Sequence, residues 1–200
     1  MSNIGKRQME FRSEEFKTRE AEDGTPMIEG YFAVFGSDYN IAPGMSESVD
    51  PGAFDNTLGN DIRALVNHDT TLVLGRTKSN TLELKTDSHG LFGRIRINTK
   101  DSDAMNLYER VSRGDVDGCS FGFDIRDEET DLAENGDVHW TIKDVDLFEV
   151  SCCTFPAYEQ TNISARTKQK EDLEERQAQA WRERMTERIN NHAENSNEEA

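Results

Sequence analysis

Gly118-Cys119-Ser120-Phe121-Gly122-Phe123-Asp124-Ile125 runs into an acidic excursion, turns at Asn135-Gly136, and returns through Val138–Ile142 and Val145–Val150. Alternation puts Phe121, Phe123 and Ile125 on one side of an extended chain and Ser120, Gly122 and Asp124 on the other. Asn-Gly is a strong hairpin signal because both residues tolerate the positive φ that tight hairpin turns demand. The stretch therefore predicts a long hairpin that carries the region of Glu149 back towards Ser120, within a chain that is mainly β.

Upstream, Met27 to Phe35 is apolar on both alternating faces, the pattern of a strand buried on both sides. Residues 36–60 are punctuated by Gly36, Pro43-Gly44, Pro51-Gly52 and Gly59-Asn60 and read as loop, with a short helix opening at Pro51-Gly52-Ala53-Phe54. Ile62–Val66 is a short strand leading directly into Asn67-His68-Asp69, and residues 72–74, 81–84 and 91–97 are further strands. Asp101 or Ser102 caps a helix through Arg113, whose Ala104, Leu107, Tyr108 and Val111 share a face and which Gly114 ends. Residues 1–26 are polar and supply at most an edge strand. Several short strands with one well-marked helix predict a closed β-barrel with peripheral helices.

From about Ile163 the character changes. Residues 166–192 carry Arg, Lys, Glu, Gln and Ala without proline or glycine, and only a thin stripe of Leu173, Ala180, Trp181, Met185 and Ile189. That predicts a charged helix with little to bury, followed by a polar end. The domains expected are thus a polar segment 1–26, a folded domain 27–165 and a helical tail 166–200.

With 23 Lys and Arg against 40 Asp and Glu, the net charge is −17. Such a chain does not neutralise phosphates, so nucleic acid and anionic membrane surfaces are disfavoured as partners. No apolar run is long enough to span a bilayer, and the segment from Met1 to Phe16 does not read as a signal peptide. Cys119, Cys152 and Cys153 make no even disulfide framework, which points to a reducing, cytoplasmic compartment. Four histidines without a Cys-x-x-Cys give no reason to expect a metal or another cofactor.

A serine hydroxyl becomes nucleophilic at neutral pH only beside a base, which must itself be oriented. His68, at the end of an apolar strand, is the best placed base, and a turn histidine beside Asp69 is the bland reading of it. Ser120 is a candidate nucleophile, and equally a small residue in a crowded strand. Glu149 interrupts an apolar strand, where a buried carboxylate needs a partner. An imidazolium would serve, and so would Arg76, Arg94 or Arg113. Cys119 is the stronger intrinsic nucleophile, but alternation sends it to the side of Phe121 and Phe123, as a small buried thiol. Gly114, Gly118 and Gly122 would let backbone amides approach an oxyanion.

Several of these stretches, in this order, resemble the prohead (head-maturation) protease family of tailed bacteriophages. They are Ile28–Phe35, Pro51–Phe54, Asn67-His68-Asp69, Gly75-Arg76, Arg113–Phe123, and Glu149-Val150-Ser151 with Pro156-Ala157. The family is similar in fold to the herpesvirus assembly protease, a barrel surrounded by helices. The resemblance implies a serine endopeptidase with Ser120 as nucleophile, His68 as general base and then acid, and Glu149 as orienting carboxylate. The herpesvirus enzyme has a histidine as its third member and an arginine pair after it, neither of which matches here. The resemblance further implies action inside the immature capsid, in the host cytoplasm, on major capsid and scaffold proteins, with self-cleavage and a homodimer. Against it stand a non-enzymatic capsid-assembly or scaffold protein, a cysteine peptidase acting through Cys119, and an α/β-hydrolase. The last is disfavoured because repeated βαβ units are absent.

Overall fold

The hairpin is the spine of the fold in the computed structural model, which describes residues 7–12, 16–154 and 160–198. Strands β10 (Gly118–Leu132) and β11 (Val138–Cys153) pair antiparallel from Gly118↔Cys153 to Leu132↔Val138. The turn closes as expected around Asn135-Gly136, with Gly136 at φ 85° and Ala133 N donating to Asp137 O at 2.8 Å. The return is one continuous strand and not two, because the ladder carries on past Lys143-Asp144 with only local irregularities, which leave Phe148 and Lys143 of β11 and Arg126 of β10 out of the register.

β10 is flanked on its other side by β1 (Arg7–Arg12), antiparallel, with Glu10 opposite Ser120. The outer edge of β11 is shared. Its first half pairs parallel with β5 (Met45–Val49), which is hairpinned to β4 (Tyr39–Ala42). Its last residues pair parallel with β6 (Arg63–Val66), which is hairpinned to β7 (Asp69–Arg76). A chain of turns over residues 50–62 fills the gap, with Val145 N donating to Ala53 O and Leu147 N to Thr57 Oγ1. These turns stand where a short helix was expected at Pro51–Phe54. Their backbone bonds step three residues at a time, and Phe54 still reaches the core.

The remaining strands form a second, 4-stranded sheet in the order β2 (Lys17–Glu20), β3 (Pro26–Val34), β9 (Gly90–Arg96), β8 (Leu82–Thr86). The two sheets share one core, including Phe32, Ile95, Phe121, Phe123, Val145 and Val150. Helix α1 (Ser102–Ser112) buries Ala104, Leu107 and Val111 and is capped by Asp101, whose carboxylate accepts from the amides of Asp103 and Ala104. Gly114, at φ 78°, takes the left-handed conformation just beyond it.

The closed β-barrel is a correction. Among the described residues neither sheet closes on itself. Closure needs a last strand that pairs with the first along a common tilt. Here the edge of β11 forks between two short strands, which leave β4 and β7 as separate edges opposite β1, while β3 and β9 belong to the other sheet. Residues 36–60 are not all loop either: β4 and β5 turn at Pro43-Gly44. The polar first 26 residues supply an edge strand to each sheet, and Met9 of β1 is buried in the core.

The chain divides into two units, Met1–Asn162 and Ile163–Ala200. The second consists of most of α2 (Gln160–Glu198), on which Trp181 and Met185 are exposed. No helix among the described residues is long and apolar enough to cross a membrane.

Candidate active site

Val66 pairs with Asp69, so Asn67 and His68 alone connect β6 to β7. Both have positive φ, 48° and 60°, as the two central residues of a tight right-twisted hairpin require. Asparagine tolerates that conformation, whereas histidine pays of order 1 kcal/mol for it. The turn is held by the end of β11: Asn67 N donates to Cys152 O at 3.0 Å, Thr154 N to Asn67 Oδ1 at 2.9 Å, and His68 N to Ser151 Oγ at 3.2 Å. These bonds hold His68 in a strained backbone conformation.

Alternation along β11 places Glu149, Ser151 and Cys153 in a row on one face, beneath the imidazole. Glu149 Oε1 lies 2.6 Å from His68 Nδ1, and Ser151 Oγ donates to Glu149 Oε2 at 2.7 Å. Cys153 Sγ lies 3.8 Å from His68 Nε2. An ionised carboxylate only accepts, so the proton on the neutral ring sits at Nδ1 and Nε2 is left with its lone pair. The pair is largely withdrawn from solvent, with side-chain exposures of 13% for His68 and 7% for Glu149. That strengthens its electrostatics and makes each partner costly to remove.

The matching row on β10 is Gly118, Ser120, Gly122, opposite Cys153, Ser151 and Glu149 in turn. Ser120 thus stands in the middle of the face that carries His68 and Glu149. Its hydroxyl, fully buried, donates to Met9 O of β1 at 2.9 Å. The structure brings His68 and Glu149 into direct contact and Ser120 onto the neighbouring strand, with its hydrogen bond turned the other way. The pentad 118–122 has the Gly-x-Ser-x-Gly spelling of a nucleophile elbow, but lies in an extended strand and not in a strand-to-helix turn.

The arginines weighed as partners of Glu149 are used elsewhere. Arg76 binds Asp61, Arg94 binds the buried Glu29, and Arg113 pairs with Asp115. Cys119 is buried as expected, its thiol on Tyr31 O at 2.9 Å, and burial also pushes the Cys152 thiol well up. At Gly122 the volume of a Cβ is taken by the Glu149 side chain. Ser151 and Cys153 were not singled out from sequence as site residues. Alternation counted forward from Glu149 would have placed both beside it. His139 lies between the hydroxyls of Ser46 and Ser48, and His89 packs on Tyr31, away from this site. Among the described residues no group of three or more His, Cys, Asp or Glu is placed to hold a metal ion. Pro156-Ala157 lies outside the described residues.

A family model described as Caudovirus prohead serine protease matches residues 12–176. The prohead protease of Enterobacteria phage HK97 is 34% identical over 143 residues, covering 70% of this chain and 59% of the HK97 protein. The solved structure of the bacteriophage T4 capsid assembly protease aligns over 76% of this chain and 99% of its own, at 10% identity and a TM-score of 0.48.

Proposed function

Because the chain belongs to the caudovirus prohead serine protease family, we propose that it is a serine endopeptidase whose nucleophile, general base and orienting acid are Ser120, His68 and Glu149. The observation that carries the reading is the 2.6 Å contact between His68 Nδ1 and Glu149, made beside the strand that bears Ser120. It leaves Nε2 unprotonated and in a fixed orientation, as a general base requires. In this reading the Ser120 hydroxyl gives up the Met9 carbonyl and offers its proton to Nε2 instead. The oxygen then attacks the scissile carbonyl carbon as its proton passes to His68. The imidazolium, stabilised by Glu149, protonates the leaving amine. Water releases the acyl group by the same route in reverse. Glu149 holds charge throughout and takes no proton.

The substrates in this reading are capsid and scaffold proteins, cut inside the prohead in the host cytoplasm during maturation. The relative from phage HK97 is named a prohead protease, and the acidic chain suits protein partners better than nucleic acid. The protease domain is residues 27–165, with the segment 1–26 supplying edge strands. The tail 166–200 anchors the enzyme to scaffold or shell by helix pairing and is lost by self-cleavage. A homodimer belongs to the same reading.

One observation favours a second reading. Cys153 is the thiol beside Nε2, so the same His–Glu pair would serve a cysteine nucleophile. Co-expression with the capsid protein separates the two. Ser120→Ala is expected to give uncleaved shells and an enzyme of unprocessed mass, and Cys153→Ala to cleave normally. The reverse pattern would assign the chemistry to the thiol, and cleavage by both single variants would move the nucleophile elsewhere.

A further inference from the structure

We propose that Ser151 is a positioning residue that locks the catalytic pair from both ends through one hydroxyl. Its oxygen accepts from the backbone N–H of His68 at 3.2 Å, and its proton goes to Glu149 Oε2 at 2.7 Å. The other carboxylate oxygen receives His68 Nδ1 at 2.6 Å. These three bonds form a closed circuit, from the main chain of the base, through the serine, through the acid, to the ring of the base. The proposal rests on the reading of His68 as base and Glu149 as its orienting acid.

The circuit meets a specific need. His68 sits at φ 60°, a strained conformation that persists only where the surroundings hold it. Glu149 is a buried carboxylate with two oxygens to satisfy, and the imidazole reaches only one. A hydroxyl both donates and accepts, so it answers both needs at once, and each bond in such a ring polarises the next. Alanine would leave Oε2 without this donor and the His68 amide without this acceptor. Ser151 is itself fully buried and is spent on these two bonds, so it acts on the reaction only through His68 and Glu149.

The test uses the full chain carrying Ser151→Ala or Ser151→Thr. Two rates are measured: cleavage of the capsid protein, resolved into kcat and KM, and labelling of Ser120 by a fluorophosphonate. In the second reaction the Ser120 Oγ–P bond forms, fluoride leaves and His68 takes the proton, so it reports activation of the serine without peptide binding. Ser151→Ala is expected to lower kcat and the labelling rate together by about 10- to 100-fold, the loss typical of a misplaced catalytic group. KM should stay within about twofold, and Ser151→Thr, which keeps the hydroxyl, should recover most of the rate. Unchanged rates in Ser151→Ala, a loss confined to KM, or equal losses in both variants would overturn the proposal. A structural role alone would lower melting temperature and the labelled fraction while sparing kcat per labelled molecule, which also counts against it. Ser120→Ala is the separate control. If it still cleaves, the nucleophile assignment fails whatever Ser151 does.

Discussion

Gly122 faces Glu149 across the β10–β11 ladder, and the Glu149 carboxylate occupies the space that a Cβ on Gly122 would need. The ring of Phe148 and the Cγ of Glu149 close the same space, at 2.8 and 2.9 Å from that Cβ position. The glycine is required by volume, not by backbone freedom. It is what lets a carboxylate lie flat on the sheet and reach sideways to His68.

Gly122→Ala should therefore disturb activity more than its distance from the hydroxyl of Ser120 suggests. Moving Glu149 aside breaks the 2.6 Å contact with Nδ1. Overpacking of this kind costs about 1–3 kcal/mol of stability. The expected outcome is a folded protein, a few degrees less stable, with kcat reduced about 10- to 100-fold. Thermal denaturation and steady-state cleavage of the capsid protein check it. A kcat within twofold of the parent would show that Glu149 has another place to go.

Asn67→Ala tests the turn that presents His68. The asparagine side chain makes two bonds to Thr154, Oδ1 accepting from its amide at 2.9 Å and Nδ2 donating to its hydroxyl at 3.3 Å. Alanine loses both and sits poorly at φ 48°. The expected cost is about 1–3 kcal/mol, from roughly 1 for the conformation and roughly 1 for the bonds. Asn67→Gly restores the conformation without the bonds, so it should fall between alanine and the parent in stability. If the two variants melt together, the bonds to Thr154 carry the effect and backbone strain does not.

What was legible in the sequence was local. Asn135-Gly136 announces its turn, Asp101 its cap, and Ala104, Leu107 and Val111 their shared face, because each signal lies within a few residues of its effect. Glu149 was legible for a different reason: a carboxylate in an apolar strand must have a partner, and the hairpin limits where that partner lies. β5 was not legible. Ser46-Glu47-Ser48 has no apolar alternation, and those residues are extended because β11 offers them a ladder from about 90 positions further along the chain. The open edges had the same origin. Whether β11 meets one long strand or two short ones depends on how residues 50–62 fill the gap, which no local pattern encodes.

Acid should loosen the protein in part through Asp61, at the foot of the β6–β7 hairpin. The Arg76 guanidinium holds its carboxyl far below the ordinary 3.8, with Arg63 and Lys78 adding to the effect. Lys143 and the amide of Gly52 likewise lower Asp50, and the hydroxyl and amide of Thr25, then Arg96, bring Asp23 down to about 2. A carboxylate whose folded value is depressed adds stability above its unfolded value and loses it as pH falls through the folded one. Stability is thus expected to lose this contribution progressively from about pH 4 downwards, through about pH 2 for Asp23. Asp61→Asn should lower the melting temperature at pH 7 and flatten its fall in acid. An identical acid slope in the variant would exclude Asp61 as a source.

The tail can be separated from the chemistry by changing only its exposed apolar pair. Trp181 and Met185 are spaced one helical turn apart on α2 and are 57% and 38% exposed. Large apolar groups on an otherwise charged helix serve helix pairing better than solubility. If the helix anchors the enzyme to scaffold or shell, Trp181→Ser with Met185→Ser should abolish incorporation into proheads. Cleavage of the isolated capsid protein should keep its kcat, because neither residue belongs to the His68–Glu149–Ser151 circuit. Capsid protein would then stay uncut in assembled shells while remaining a substrate in solution. Normal incorporation of the double variant, measured by its stoichiometry in purified proheads, would refute anchoring through this face. Loss of cleavage in solution would instead show that the tail contributes to the active fold.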